Sequence, residues 1–233
     1  MELNPSNYIL AIDTSTPVCS VALLGGGTLL GNVEMYGEKL HAKILSPLIE
    51  DLLKRCEIKY AQLKAVAVAS GPGSYTGLRV GLSTAKGIAW AHSTPLYLIP
   101  TLDGLAWSIR RITPPGFIVC PMLDARRNEV YAGLYDVKGE KVLDPVAWVL
   151  EPDTLPPSFT DLPCCYGGPG AFKATPLIGR NSGDYWVSGI QADAAAIAWL
   201  AKEKMLHSPG DDLVHAEPQY LKPYRVTERK PEL

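Results

Sequence analysis

The chain has 233 residues, of which 47% are hydrophobic and 20% are charged, and its formal net charge is −2. This length fits one large domain or two lobes of about 100 residues each. The composition is that of a chain that forms packed cores, which excludes an intrinsically disordered protein. The near-neutral charge argues against capture of nucleic acid by the overall field of the molecule.

The cysteines and the apolar runs favour a reducing compartment. None of the five cysteines forms a C-x-x-C pair, and three lie in apolar, strand-like runs, where a free thiol behaves as a small hydrophobe. The polar N-terminus lacks the features of a signal peptide, and no apolar run approaches the roughly 20 residues of a membrane span. We therefore expect a cytoplasmic protein without a membrane partner.

The first 111 residues show the pattern of a β-β-β-α-β-α lobe. Apolar runs predict strands at 8–12, 18–24, 28–35 and 64–69. Leucine and isoleucine recur at helical spacing from Leu40 to Leu53, and Pro47 is expected to kink this helix. A second helix is predicted to run from the glycine-rich segment 70–77 to about His92.

The same pattern begins again after a proline-rich boundary at 112–116. Strands are predicted at 117–123, 130–135, 141–149 and 164–166, with a helix at about 191–205. The loop 151–163 takes the place of the first crossover and has room for a short helix. The tail from about 208 is available to pack back on the first lobe.

The two halves can be aligned with each other. Asp13 and Asp124 each end a first strand, and in each half the second strand ends eleven residues later. An internal repeat of about 110 residues indicates gene duplication. We therefore predict an α/β fold of two duplicated β-β-β-α-β-α lobes, 1–111 and 117–233, of the actin-like ATPase type (ASKHA, ribonuclease H-like). The alternative is a single flavodoxin-like α/β domain with a tail.

The segment at the end of the first strand is a candidate nucleotide site. In actin-like ATPases the matching hairpin holds phosphate with backbone N–H groups and hydroxyls. We predict a vestigial site for a nucleotide such as ATP at Asp13, Thr14, Ser15, Gly167 and Gly168. No glycine follows Asp13 before Ser20, and the second hairpin, 124–128, carries two arginines where a phosphate loop needs space. The alternative is that these side chains simply close a hairpin.

The glycine-rich segment 71–77 and its helix form a second candidate. The segment resembles an anion-binding loop, but it lacks the lysine of a Walker A loop and the spacing of the dinucleotide fingerprint. Small residues then recur every fourth position, at Gly77, Gly81, Ala85 and Ala89. Because glycine inside a helix costs about 1 kcal/mol against alanine, this face predicts close approach by another element. That element is either the lobe's own sheet or a partner helix.

The sequence shows no self-sufficient active site. No two of its four histidines lie within seven residues of each other, so the histidine pair of a zinc enzyme is missing. The nucleophile elbow and the deaminase signature are missing as well. We predict no metal site and no catalytic residue.

Three segments together resemble the TsaB family of glycoprotease-like tRNA-modification proteins. They are 9–16 (ILAIDTST), His41 with the helix that follows it, and 71–79 (GPGSYTGLR). The segments 124–131 and 218–221 are similar to later signatures of the family. The likeness covers nearly the whole chain in order, and only 151–163 and the residues after Arg225 have no counterpart.

The resemblance implies a non-catalytic subunit. Members of the family bind TsaD, a relative that carries the metal-binding histidines and the nucleotide and transfers a threonylcarbamoyl group to an adenosine of ANN-reading tRNAs. The ATPase TsaE joins them. The implied partners are thus TsaD and TsaE, and a second copy through two helices of the first lobe when the protein is alone. The resemblance also implies that the protein contacts tRNA only indirectly, through the complex.

We expect a surface for these partners at or just beneath the helices of the first lobe. An arginine introduced by Gly81→Arg is expected to block binding without unfolding the chain. The alternatives are a nucleotide-dependent transferase, a glycoprotease-like peptidase, or a sugar or acetate kinase, which needs glycine in both hairpins. The predicted partner-binding residues are His41, Leu45, Leu48, Leu52, Thr76, Gly77, Gly81 and Ala85.

Overall fold

The computed structural model describes residues 7–37, 40–151, 163–176 and 183–222. The first half forms β1 (Tyr8–Asp13), β2 (Val18–Gly25), β3 (Thr28–Tyr36), α1 (His41–Arg55), a 3-10 turn (Tyr60–Gln62), β4 (Leu63–Ala69), α2 (Tyr75–His92), β5 (Leu96–Ile99) and α3 (Thr101–Arg110). The second half forms β6 (Ile118–Asp124), β7 (Glu129–Tyr135), β8 (Lys141–Val149), β9 (Cys164–Gly167), the single turn α4 (Ala171–Ala174), β10 (Tyr185–Val187) and α5 (Ala194–Lys204). Most of the loop 151–163 and the tail after 225 lie outside the described residues.

The two sheets have the same strand order. The first runs β3-β2-β1-β4-β5 and the second β8-β7-β6-β9-β10. In each, the first strand pairs antiparallel with the second and parallel with the fourth. This repeat confirms the predicted pair of ribonuclease H-like lobes of the actin-like type. The short fifth strands, β5 and β10, and the helix α3 were not recognised in the sequence.

Helices cover both faces of the first sheet, which explains the composition of its central strands. β1 and β4 are apolar almost throughout, as strands buried on both faces must be. On one face α1 and α2 pack through Leu45, Ile49 and Ala85. On the other face α5 packs through Ile197 and Ala201. All five cysteines are free thiols, and four of them are buried.

The last helix of each half packs on the sheet of the other half. α3 lies on the second sheet through Leu105 and Ile109, whereas α5 lies on the first sheet. Trp107 of α3 stacks on Trp199 of α5 with a ring separation of 6.2 Å. The predicted division between 111 and 117 therefore marks the covalent connection, but it does not separate two packed units. Periodicity shows which helix face is apolar and not which sheet covers it.

The tail from 208 to 222 runs along the first lobe. The Asp211 amide donates to the Leu96 carbonyl over 2.8 Å, and the Gln219 amide donates to the Ser70 carbonyl over 2.7 Å. Lys86 of α2 donates to the carbonyls of Val214 and Ala216. Within the described ranges, no helix has the length and the apolar character that crossing a membrane requires.

Candidate functional site

The hairpin after β1 is closed by its own side chains. Asp13, Thr14 and Ser15 are at most 2% exposed. The Ser15 amide and hydroxyl both donate to Asp13 Oδ1, over 2.8 and 2.6 Å. The Thr14 hydroxyl donates to the Gly77 carbonyl over 2.8 Å. The hydroxyls that would hold a phosphate in an actin-like ATPase are therefore engaged inside the protein.

The small-residue face of α2 packs on this hairpin through Gly77 and Gly81. The Ser74 amide donates to the Ser15 carbonyl over 2.7 Å. A Cβ atom added at Gly77 would overlap the Thr14 carbonyl oxygen, and one added at Gly81 would overlap the Thr14 hydroxyl. The close approach indicated by the small residues is thus internal. The expectation for Gly81→Arg is wrong, because an arginine there has no space and would disrupt the first lobe.

Asp13 is an acidic group of the site whose pKa is raised well above its ordinary value. Burial raises its pKa to about 6 against the opposing hydrogen bonds from Ser15, and the charges of Asp193 and Glu34 raise it further. Its second carboxyl oxygen, Oδ2, is buried and has no hydrogen-bond partner among the described residues. A nearby phosphate would meet an uncompensated negative charge, so this electrostatic environment does not favour anion binding.

The two glycines predicted to complete the nucleotide site pack elsewhere. A Cβ atom at Gly167 would lie 2.9 Å from the Ile109 side chain of α3. Gly168 has a positive φ of 101°, and a Cβ atom there would lie 2.5 Å from the Met122 carbonyl oxygen. No hydrogen bond within the described ranges joins either glycine to Asp13, Thr14 or Ser15. Nucleotide binding by these five residues stays a prediction.

The second hairpin differs from the first in exposure and charge. Asp124, the counterpart of Asp13, is exposed and pairs with Lys173 over 2.9 Å. Arg126 and Arg127 are exposed and have positive φ values of 66° and 49°. The two duplicated hairpins have therefore diverged into a buried, closed one and an exposed, basic one.

Most of the predicted partner-binding residues lie inside the first lobe. Only Thr76 is exposed, and Leu48 is half-buried. His41 Nε2 lies 3.3 Å from the Val18 carbonyl oxygen. A role of the buried residues in partner binding stays a prediction, and it can only be indirect, because they support the outer surface of α1 and α2. The buried members of the set are His41, Leu45, Leu52, Gly77, Gly81 and Ala85.

Of the outer face of the same helices, only Leu48 and Thr76 were predicted from the sequence. Successive residues of α2 at positions 76, 80, 83 and 87 share one face, because their spacing of four, three and four follows the helical repeat. Ser83 and Gly87 are exposed, and Val80 is half-buried. α1 packs beside α2 and adds half-buried Ile44 and Leu48. We call this set, Ile44, Leu48, Thr76, Val80, Ser83 and Gly87, the outer helix face.

The duplicated lobes and the hairpin after β1 define a protein of the actin-like class whose first phosphate hairpin is closed. A family model described as TsaD, tRNA N6-adenosine threonylcarbamoyltransferase, matches residues 33–205. The chain is 31% identical over 219 residues to the tRNA threonylcarbamoyladenosine biosynthesis protein TsaB of Escherichia coli, which covers 92% of this chain and 94% of that protein. The chain belongs to the TsaB family.

Two further comparisons agree with this assignment. The chain is 38% identical to TsaB of Bacillus subtilis over 130 residues, a match that spans only 56% of each protein. The solved structure of YeaZ from Pseudomonas aeruginosa superimposes with a TM-score of 0.81 at 27% identity, covering 92% of this chain and all of that one. Among the described residues, no group of three or more His, Cys, Asp or Glu side chains is placed to hold a metal ion.

Proposed function

We propose that this protein is a non-catalytic subunit in the biosynthesis of tRNA threonylcarbamoyladenosine. It binds a TsaD-like transferase and acts with a TsaE-like ATPase. The observation that carries the proposal is the closed first hairpin, in which the hydroxyl of Thr14 and the amide and hydroxyl of Ser15 already have partners within the protein. A chain of this fold whose first hairpin is closed by its own hydrogen bonds contributes to the pathway through contacts with other proteins.

The outer helix face is the proposed surface for the transferase. Gly87 supports this assignment, because a Cβ atom there would meet nothing within 4 Å. The chain itself therefore does not require glycine at this exposed position, where it weakens the helix by about 1 kcal/mol relative to alanine. Small residues allow the backbone of a second helix to approach closely. The proposal also assigns this face to a second copy of the chain when the protein is alone.

The test is co-expression with the transferase of the same organism, followed by size-exclusion chromatography with light scattering. The wild-type chain should form a complex of defined stoichiometry. The Ser83→Arg/Gly87→Arg variant should elute separately with a native circular dichroism spectrum, because both positions are exposed. Ser188→Arg, at an exposed position of the second lobe, is the matched control. If the double variant still copurifies at wild-type yield, the outer helix face is not the interface.

A further inference from the structure

The second hairpin presents two arginine side chains that the fold does not use. Arg126 and Arg127 are both exposed. Neither guanidinium takes part in a hydrogen bond or an ion pair within the described ranges of the chain. The hairpin is closed without either guanidinium: the Ala125 amide donates to the Glu129 carbonyl over 3.1 Å, the Glu129 amide donates to the Arg126 carbonyl over 3.2 Å, and the Arg126 amide donates to Asp124 Oδ1 over 2.7 Å.

The backbone at these two positions conflicts with the residues that occupy it. Arg126 and Arg127 have φ values of 66° and 49°, in the left-handed region that residues other than glycine and asparagine rarely adopt. Tight hairpins with two such residues favour Asn-Gly. Two arginines therefore occupy positions at which they disfavour the turn, and places where a local rule is broken in this way are often functional.

The charge around the hairpin is positive. Asp124 pairs with Lys173 over 2.9 Å, and Glu129 pairs with Lys222. Because each of these carboxylates already has a lysine partner, the charges of Arg126 and Arg127 are not compensated. Four cations against two carboxylates leave a local net charge of +2 on a chain whose total is −2.

Aromatic rings accompany these cations. Phe172, which precedes Lys173, is 89% exposed. Lys222 Nζ lies 5.6 Å from the centre of the Tyr131 ring, and Arg126 is near enough to act against the rise in the Tyr131 pKa that burial causes. Unpaired cations beside an exposed ring suit an unstacked RNA strand, whose phosphates pair with arginine while a base stacks on the ring.

We propose that this hairpin patch, formed by Arg126, Arg127, Phe172, Lys173 and Lys222, binds the phosphate backbone of a single-stranded or loop region of RNA. The choice of RNA over an acidic protein rests on the proposed function, since that function concerns the modification of tRNA. Direct contact between this chain and RNA goes beyond the expectation from the sequence, which was indirect contact with tRNA through the complex. The patch does not include the outer helix face, so the two assignments can fail separately.

The first test is fluorescence anisotropy of the full chain with a labelled, unmodified tRNA transcript at several salt concentrations. Arg126→Glu/Arg127→Glu should weaken binding at least tenfold. It should also reduce the slope of log affinity against log salt by about 1.4, because each contact to a single-stranded phosphate contributes about 0.7. The matched control is Lys54→Glu/Lys64→Glu, which makes the same change in charge at two exposed positions of the first lobe and should leave the slope unchanged.

Three results would overturn the proposal. One is no binding by the wild-type chain at low salt. Another is an equal loss of affinity in both double variants, which would indicate general electrostatic attraction. The third is displacement of the tRNA by polyglutamate as effectively as by unlabelled single-stranded RNA of equal charge, which would indicate an acidic protein partner instead.

A second variant separates binding from folding. Arg126→Asn/Arg127→Gly supplies the residues that the turn prefers, so it should raise the melting temperature while it lowers RNA affinity. A higher melting temperature with unchanged RNA affinity would show that the arginines do not bind RNA. The Ser83→Arg/Gly87→Arg variant should keep RNA binding and lose the transferase, so that failure of one proposal is visible apart from failure of the other.

Discussion

Thr14 and Gly77 contact each other in two ways, across 63 residues of sequence. The Thr14 hydroxyl donates to the Gly77 carbonyl over 2.8 Å, and the Gly77 α-carbon lies so close to the Thr14 carbonyl that a Cβ atom would overlap it. The first hairpin and the start of α2 are thereby held as one unit. A phosphate loop must be able to admit a ligand, whereas the donors of this hairpin already have acceptors within the protein.

Two glycines of α2, Gly77 against Thr14 and Gly87 in open space, should respond in opposite ways to substitution by alanine. Gly77→Ala should destabilise the chain by about 3 kcal/mol, because a methyl group forced against main chain requires the backbone to shift. Gly87→Ala should stabilise it by up to about 1 kcal/mol, since the position is open and alanine favours the helix. Urea denaturation of the two variants measures both values. Destabilisation by Gly87→Ala would mean that its surroundings are not open.

Asp13 predicts a pH dependence of stability with a defined sign. Burial raises its pKa from 3.8 to about 6, so the folded state favours the protonated carboxyl. The stability contributed by this group is fully present below pH 3.8 and is lost as the pH rises through about 6. The loss should approach about 3 kcal/mol, because each unit of pKa shift corresponds to about 1.4 kcal/mol.

The variant Asp13→Asn should isolate this effect. Asparagine keeps an oxygen that accepts the hydrogen bonds from Ser15, but it carries no charge. The variant should be more stable than the wild-type chain at pH 7.5, and the difference should shrink toward pH 4. Unfolding free energies across this range provide the measurement. An equal difference at every pH would show that the charge of Asp13 is not what matters.

The closed hairpin also predicts that the isolated chain does not bind nucleotide. Titration calorimetry with ATP and magnesium should show no saturable heat, because the hydroxyls of Thr14 and Ser15 already have acceptors within the protein. Asp13→Ala is the informative control. Saturable binding by the wild-type chain that is lost in this variant would favour the alternative of a nucleotide-dependent enzyme.

Part of this architecture could be predicted from the sequence because strong local patterns determine it. β1 and β4 are continuous apolar runs, and the repeated position of Asp13 and Asp124 indicates the duplication. The location of α3 on the second sheet could not be predicted, since an apolar helix face fits either sheet. β5 has only four residues, too few to show a periodicity.

The candidate site could also be predicted only in part. The small residues at Gly77 and Gly81 correctly indicated a close approach, but a face without side chains does not identify what approaches it. Gly87 lies outside that series of every fourth residue, so its exposure became visible only in the folded structure. The positive φ values of Arg126 and Arg127 could not be predicted. Asparagine and glycine are the residues that indicate such a backbone, and neither occupies these two positions.

The tail provides a last prediction, because Lys86 holds it to α2. Its Nζ donates to the Val214 carbonyl over 3.0 Å and to the Ala216 carbonyl over 3.1 Å. Lys86→Met removes both bonds and keeps an unbranched apolar stem, so it should cost about 1.5 kcal/mol, the lower end for hydrogen bonds to charged groups. Amide hydrogen exchange should become faster in residues 212–219 and stay unchanged in β1 and β4. Lys43→Met, at an exposed position of α1, is the control. Unchanged exchange in the tail would mean that the contacts of Asp211 and Gln219 are sufficient to hold it.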